Sequence, residues 1–143
     1  MSGFSEIAKN VMTARKNYGA PDAFKLKESV ESKNMTGKTI TIDGCIVVSK
    51  IKYNPETKEP IMSKTGEPIY QSVAYIAFDG DKFFATKSTP LIEQLESFSG
   101  IKLIVKEKAE IEVPKIAGLK ATVSTVKVRY ADGKDYDLPI LND

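Results

Sequence analysis

The chain has 143 residues, 41% hydrophobic and 28% charged, with a net charge of +2, a single cysteine, and neither histidine nor tryptophan. Such a composition suits one globular domain with its own core and excludes a disordered or collagen-like chain. Without imidazole there is no Ser-His or Cys-His nucleophile pair and no histidine-bearing zinc site, and one thiol, Cys45, can build neither an internal disulfide nor a thiolate cage.

Residues 1–37 read as an N-terminal helical extension. Phe4, Ile7, Val11 and Met12 recur at helical spacing up to about Asn17, and Tyr18-Gly19-Ala20-Pro21-Asp22 ends the helix. A second helical turn is expected around Ala23 to Ser29. From Lys38 the period changes to that of strands. Ile40, Ile42, Ile46 and Val48 share one parity and Ile51 and Tyr53 the other, so the buried phase is expected to flip near Val48. Gly44, just before it, is where a bulge or coil is tolerated. Asn54 to Pro68, with three prolines and Gly66, reads as a long mobile hairpin loop.

Ile69 to Phe78 and Lys82 to Thr86 read as two strands joined by a tight Asp-Gly turn at Asp79-Gly80-Asp81. A helix follows from Thr89, its expected cap, through about Phe98, with Pro90 in the first turn, Ser99-Gly100 as the stop, and Leu91, Leu95 and Phe98 as the buried stripe. Ile101 to Lys108 alternates as a fourth strand, Glu107 to Gly118 reads as a connection, and Leu119 to Tyr130 is the fifth strand. Lysine and arginine outnumber acids 14 to 11 over residues 38–131, whereas residues 132–143 carry one lysine against four aspartates. That terminal stretch reads either as an acidic tail or as a final strand containing Pro139.

Five strands, a helix between the third and fourth, long connections after the first and fourth and a coiled first strand resemble the oligonucleotide-binding barrel, the OB fold. The resemblance covers residues 38–131 and rests on element order alone. It implies a mainly β, five-stranded barrel with an additional N-terminal helix, whose ligands lie between the long loops and against the second and third strands.

Chemistry points away from catalysis. No GxxxxGK[ST] or GxGxxG stretch is present to cradle phosphates. Asp79/Asp81 and Asp135/Asp137 are close pairs, but the first belongs to an exposed turn, where a carboxylate lacks the burial that tunes an acid or base. No metal or cofactor is expected, and Cys45 reads as a small buried strand residue.

Single strands are held by cations that meet phosphates and by aromatic rings that stack on bases. With Gly80-Asp81 as a two-residue turn, Phe78 faces Phe83 and Ile76 faces Ala85 on the core side. The outer side then collects Tyr75, Ala77, Lys82, Phe84 and Thr86. Lys50, Lys52 and Tyr53 on the first strand, Tyr70 opening the second, Lys106 ending the fourth, and Lys127 and Arg129 on the fifth extend the set. The expected nucleic-acid-binding residues are therefore Lys50, Lys52, Tyr53, Tyr70, Tyr75, Lys82, Phe84, Lys106, Lys127 and Arg129.

One small barrel, no enzyme equipment and a short acidic end resemble the single-stranded DNA-binding proteins of bacteriophages. That resemblance implies single-stranded DNA, or RNA, as ligand, a part in phage replication or recombination, and replication or recombination proteins recruited through the C-terminal tail. The alternative is a non-catalytic β-barrel module for protein interaction or virion structure. The longest apolar runs fall far short of the roughly 20 residues that span a membrane. With one cysteine and no apolar leader, a cytoplasmic setting is expected, in the bacterial host if the protein is phage-encoded. Oligomerisation is compatible with the sequence.

Overall fold

A computed structural model describes residues 3–143. Among these are two α-helices, α1 (Phe4–Lys16) and α2 (Thr89–Ser99), and seven strands: β1 (Glu28–Ser29), β2 (Thr39–Ile51), β3 (Tyr70–Phe78), β4 (Lys82–Thr86), β5 (Ala109–Glu112), β6 (Lys120–Arg129) and β7 (Asp135–Asn142). The strands form one curled half-barrel in the order β1-β4-β3-β2-β6-β7, with β5 also paired to β2. No helix among the described residues is long and apolar enough to cross a membrane.

The long strand β2 organises the sheet because it pairs antiparallel with β3, β5 and β6. Its bend lies at Gly44. Register slips between the pairs Ile42/Phe78 and Gly44/Ala77, leaving Asp43 as an extra residue, and a bulge of this kind increases local twist. The buried phase therefore changes there, from Ile40 and Ile42 to Cys45, Val47 and Ser49, and not near Val48 as expected. Ile46 and Val48 are apolar for a different reason: they pack in a second cluster on the other face of the sheet.

The main core, on the concave face, joins Ile42, Val47, Ile76, Phe78 and Phe84 to Leu91, Ile92 and Leu95 of α2. Cys45 lies in this core, and desolvation by burial pushes its thiol up from the ordinary 9.0 to about 12. Burial thus favours the neutral thiol only in the folded chain. The resulting stability is intact below pH 9.0 and is lost as pH rises towards about 12. Folded protein at neutral pH is expected to leave Cys45 unmodified by a thiol-reactive disulfide reagent and to react fully in urea; rapid stoichiometric reaction without urea would show that the core is open.

Helix α2 is capped by Ser88, whose hydroxyl accepts from the Leu91 amide, and not by Thr89; it ends at Gly100 in the left-handed conformation. Ile92 takes the buried position expected for Phe98, which is half exposed. Beyond α2, Ile101 to Lys108 forms no ladder, so the expected fourth strand is shifted to β5 at Ala109–Glu112. The Glu96 carboxylate accepts from the amides of Leu103 (2.7 Å) and Ile104 (3.1 Å) in place of a strand partner.

Residues 135–142 are a paired strand, not a free tail, and β7 continues the sheet beyond β6. The outer edge of β7 is closed by α2. The Gln94 side chain donates to the Leu141 carbonyl (2.9 Å) and accepts from its amide (2.8 Å), taking the place of a neighbouring strand.

Candidate nucleic-acid interface

The hairpin between β3 and β4 decides which rings a ligand can reach. Its connection has three residues, Asp79 to Asp81, with Phe78 opposite Lys82, Ala77 opposite Phe83 and Ile76 opposite Phe84. Asp79 and Gly80 both adopt positive φ, and the Gly80 amide donates to Asp43 Oδ2 at 2.6 Å. One residue more than a two-residue turn moves every β4 side chain to the opposite face relative to β3. Phe84 therefore enters the main core, 0% exposed and edge-on to Phe78 at 5.9 Å, while Phe83 goes to the convex face.

Tyr75 does point to the convex face, but that face is covered. Ala20 and Phe24 of the N-terminal segment pack on Tyr75, Ala77 and Phe83, leaving Tyr75 8% exposed with its hydroxyl donating to the Gly19 carbonyl at 3.2 Å. The same desolvation raises the Tyr75 phenol above its ordinary value. Phe84 thus lies on the core side and not on the outer one, whereas Tyr75 keeps the expected side but is covered there. The residues read as an extension supply the lid.

The remaining eight positions fall in separate places. Lys52, Tyr70 and Lys106 meet in one open groove of about 660 Å³ beside the first turn of α2. Lys50 pairs in register with Gln71 on the strand face opposite Ser49. Tyr53, half exposed, bridges to Pro60 in the hairpin loop. Lys82 lines a separate cleft with Glu28 and Asp79. Lys127 and Arg129 lie on a projecting arm formed by the far ends of β6 and β7, where Arg129 Nε is 2.9 Å from Asp135 Oδ1.

The groove is built by three pieces of chain. The loop after β2 is not open: the Ile61 amide donates to Lys52 O and the Ile69 amide to Ile61 O, so the segment folds back as an ordered flap carrying Ser63 and Thr65. Ile104 to Lys106 form the facing wall, tied to β2 by the Ser49 hydroxyl donating to Val105 O at 2.9 Å. Lys87 and Thr89 close the end at the start of α2, whose dipole favours an anion. Sequence reasoning missed Lys87; its signal was a lysine two residues before a capped helix. The side chains of Lys52, Lys87 and Lys106 are exposed, and none forms an ion pair with any described residue. Glu67 is the one acid lining the groove, so three cations face one carboxylate, with the half-buried Tyr70 ring among them.

The arm carries a charge pattern of its own. The Lys134 amide (2.9 Å) and then the Tyr136 hydroxyl (2.8 Å) donate to Asp132, holding its carboxyl below the ordinary range, and the same bond raises the Tyr136 phenol. No three potential metal ligands cluster among the described residues. A scan against protein-family models, a search of curated proteins and a search of solved structures each returned no match.

Proposed function

We propose that this chain binds single-stranded DNA without catalysing a reaction, using the groove between the β2–β3 flap and residues 104–106. The half-barrel is read as a variant of the five-stranded oligonucleotide-binding barrel, with α2 in the position that fold gives its helix. One observation carries the reading: Lys52, Lys87 and Lys106 converge unpaired on a groove that also holds Tyr70 and the start of α2. Phosphates bound there would release counterions from the strand, and a base could stack on the Tyr70 ring. Protection or organisation of single strands in phage replication or recombination belongs to the same reading.

The test is a gel-shift series with oligo-dT and a duplex of equal length at two salt concentrations. The expected result is tighter binding of oligo-dT that weakens steeply as salt rises. Absence of a shift with every oligonucleotide at low salt would overturn the proposal.

A further inference from the structure

Helix α1 is amphipathic in the wrong sense for a helix packed on its own domain. Its polar residues Lys9, Thr13 and Lys16 line the cleft towards Leu26–Ser29. Its apolar residues point away: Phe4 is 90% exposed, and Ile7, Val11 and Met12 are about half exposed or more. Phe4, Ile7 and Val11 share one helical face, and Arg15, four residues after Val11, continues it. No α1 side chain is buried. An isolated 13-residue helix is marginal in water, so an outward apolar stripe leaves its stabilising contact unmade.

The β6–β7 arm shows the complementary pattern. Val126 pairs with Leu138 and Val128 with Tyr136, so period-2 alternation puts these four and Tyr130 on one face. Lys127, Arg129, Asp135 and Asp137 occupy the other. Val126, Tyr130 and Tyr136 are more than a third exposed, and the two tyrosine rings meet edge-on at 5.0 Å. A two-stranded ribbon is itself marginal without a covering layer.

The two faces match in length and charge. Phe4 to Arg15 spans roughly 16 Å at helical rise, and Val126 to Tyr130 roughly 13 Å at strand rise. The charges at the two faces are Arg15, at the end of the helical stripe, and Asp132, beside the tyrosine pair. Lys9 and Lys16 line the cleft towards the chain's own domain, and Asp135 and Asp137 lie on the opposite face of the arm with Lys127 and Arg129. Asp132 sits at the arm's tip beside the tyrosine pair, where Arg15 at the end of the helical stripe could reach it. Within one chain they cannot meet as folded, because α1 leads into β1 at one edge of the sheet and the arm extends from β7 at the other.

We propose that α1 of one copy docks its Phe4/Ile7/Val11 face on the Val126/Tyr130/Tyr136 face of the β6–β7 arm of a second copy. The contact joins unlike surfaces, so it is heterologous and leaves one free helix and one free arm on each pair, ready to add further copies. It requires no nucleic acid. Its failure would leave the groove reading untouched.

Sedimentation velocity without nucleic acid tests it, using wild type, Ile7→Asp and Tyr130→Asp, each checked for unchanged circular dichroism and Tm. Wild type is expected to sediment faster as concentration rises to about 100 μM, the range open to a small interface. Each variant alone is expected to stay monomeric. Their equimolar mixture is expected to form a heterodimer and nothing larger, because one supplies an intact arm and the other an intact helix. A monomeric wild type at that concentration would overturn the proposal. So would association that Ile7→Asp abolishes and Tyr130→Asp does not, the signature of helix–helix pairing or another partner, or a mixture that stays monomeric.

Discussion

Changing Lys52, Lys87 and Lys106 together to alanine is expected to weaken oligo-dT binding about a hundredfold at 0.1 M salt and to reduce the slope of log K against log salt by about 2. The magnitude follows from counterion release, about 0.7 in slope per phosphate neutralised on a single strand. All three side chains are exposed and without an ion pair among the described residues, so the folded state loses little with them. Thermal stability should change by less than about 1 kcal/mol. Lys50, Lys82 and Lys127 replaced together serve as the comparison, since they remove the same charge outside the groove. Fluorescence anisotropy over a salt titration checks both sets. Equal losses from the two would mean that charge, and not the groove, governs binding.

Phe84→Ala is expected to destabilise the fold by about 3–5 kcal/mol, the range for deleting a fully buried ring, and to lower Tm by roughly 10–15 °C for a chain of this size. Phe84 is fully buried against Phe78 in the core that Leu91 and Leu95 of α2 complete. Because α2 begins at the groove, loosening this core also loosens Lys87 and Thr89, and the chain's order there should weaken. Urea unfolding by circular dichroism measures the effect. A stable variant with impaired oligo-dT binding would instead indicate that Phe84 meets the ligand.

What was legible in the sequence follows from period and punctuation. Alternation located β2, β3, β4 and β6, and Pro90 with Gly100 located α2, because those signals are read within one element. Gly44 marked the bulge correctly, but the phase change was misplaced by several residues because Ile46 and Val48 are apolar on the convex face too. Ile101 to Lys108 alternates like a strand yet is held by side chains, Glu96 at the end of α2 and the distant Ser49 of β2, and not by a neighbouring strand. Of the groove, Lys52, Tyr70 and Lys106 could be named from the sequence as basic and aromatic strand-end residues, but nothing local set them together with one another or with Lys87.

By itself the sequence determined a mainly β chain, with helices from Phe4 to about Asn17 and from Thr89 to about Phe98, and without histidine. Only the tertiary structure decided which rings are free. A single extra residue in the turn at Asp79 to Asp81 put Phe84 in the core, and the fold of Ala20 and Phe24 over the convex face buried Tyr75. Alternation fixes which side chains of a strand share a face, whereas the side that water reaches depends on cross-strand register and on distant segments that cover it.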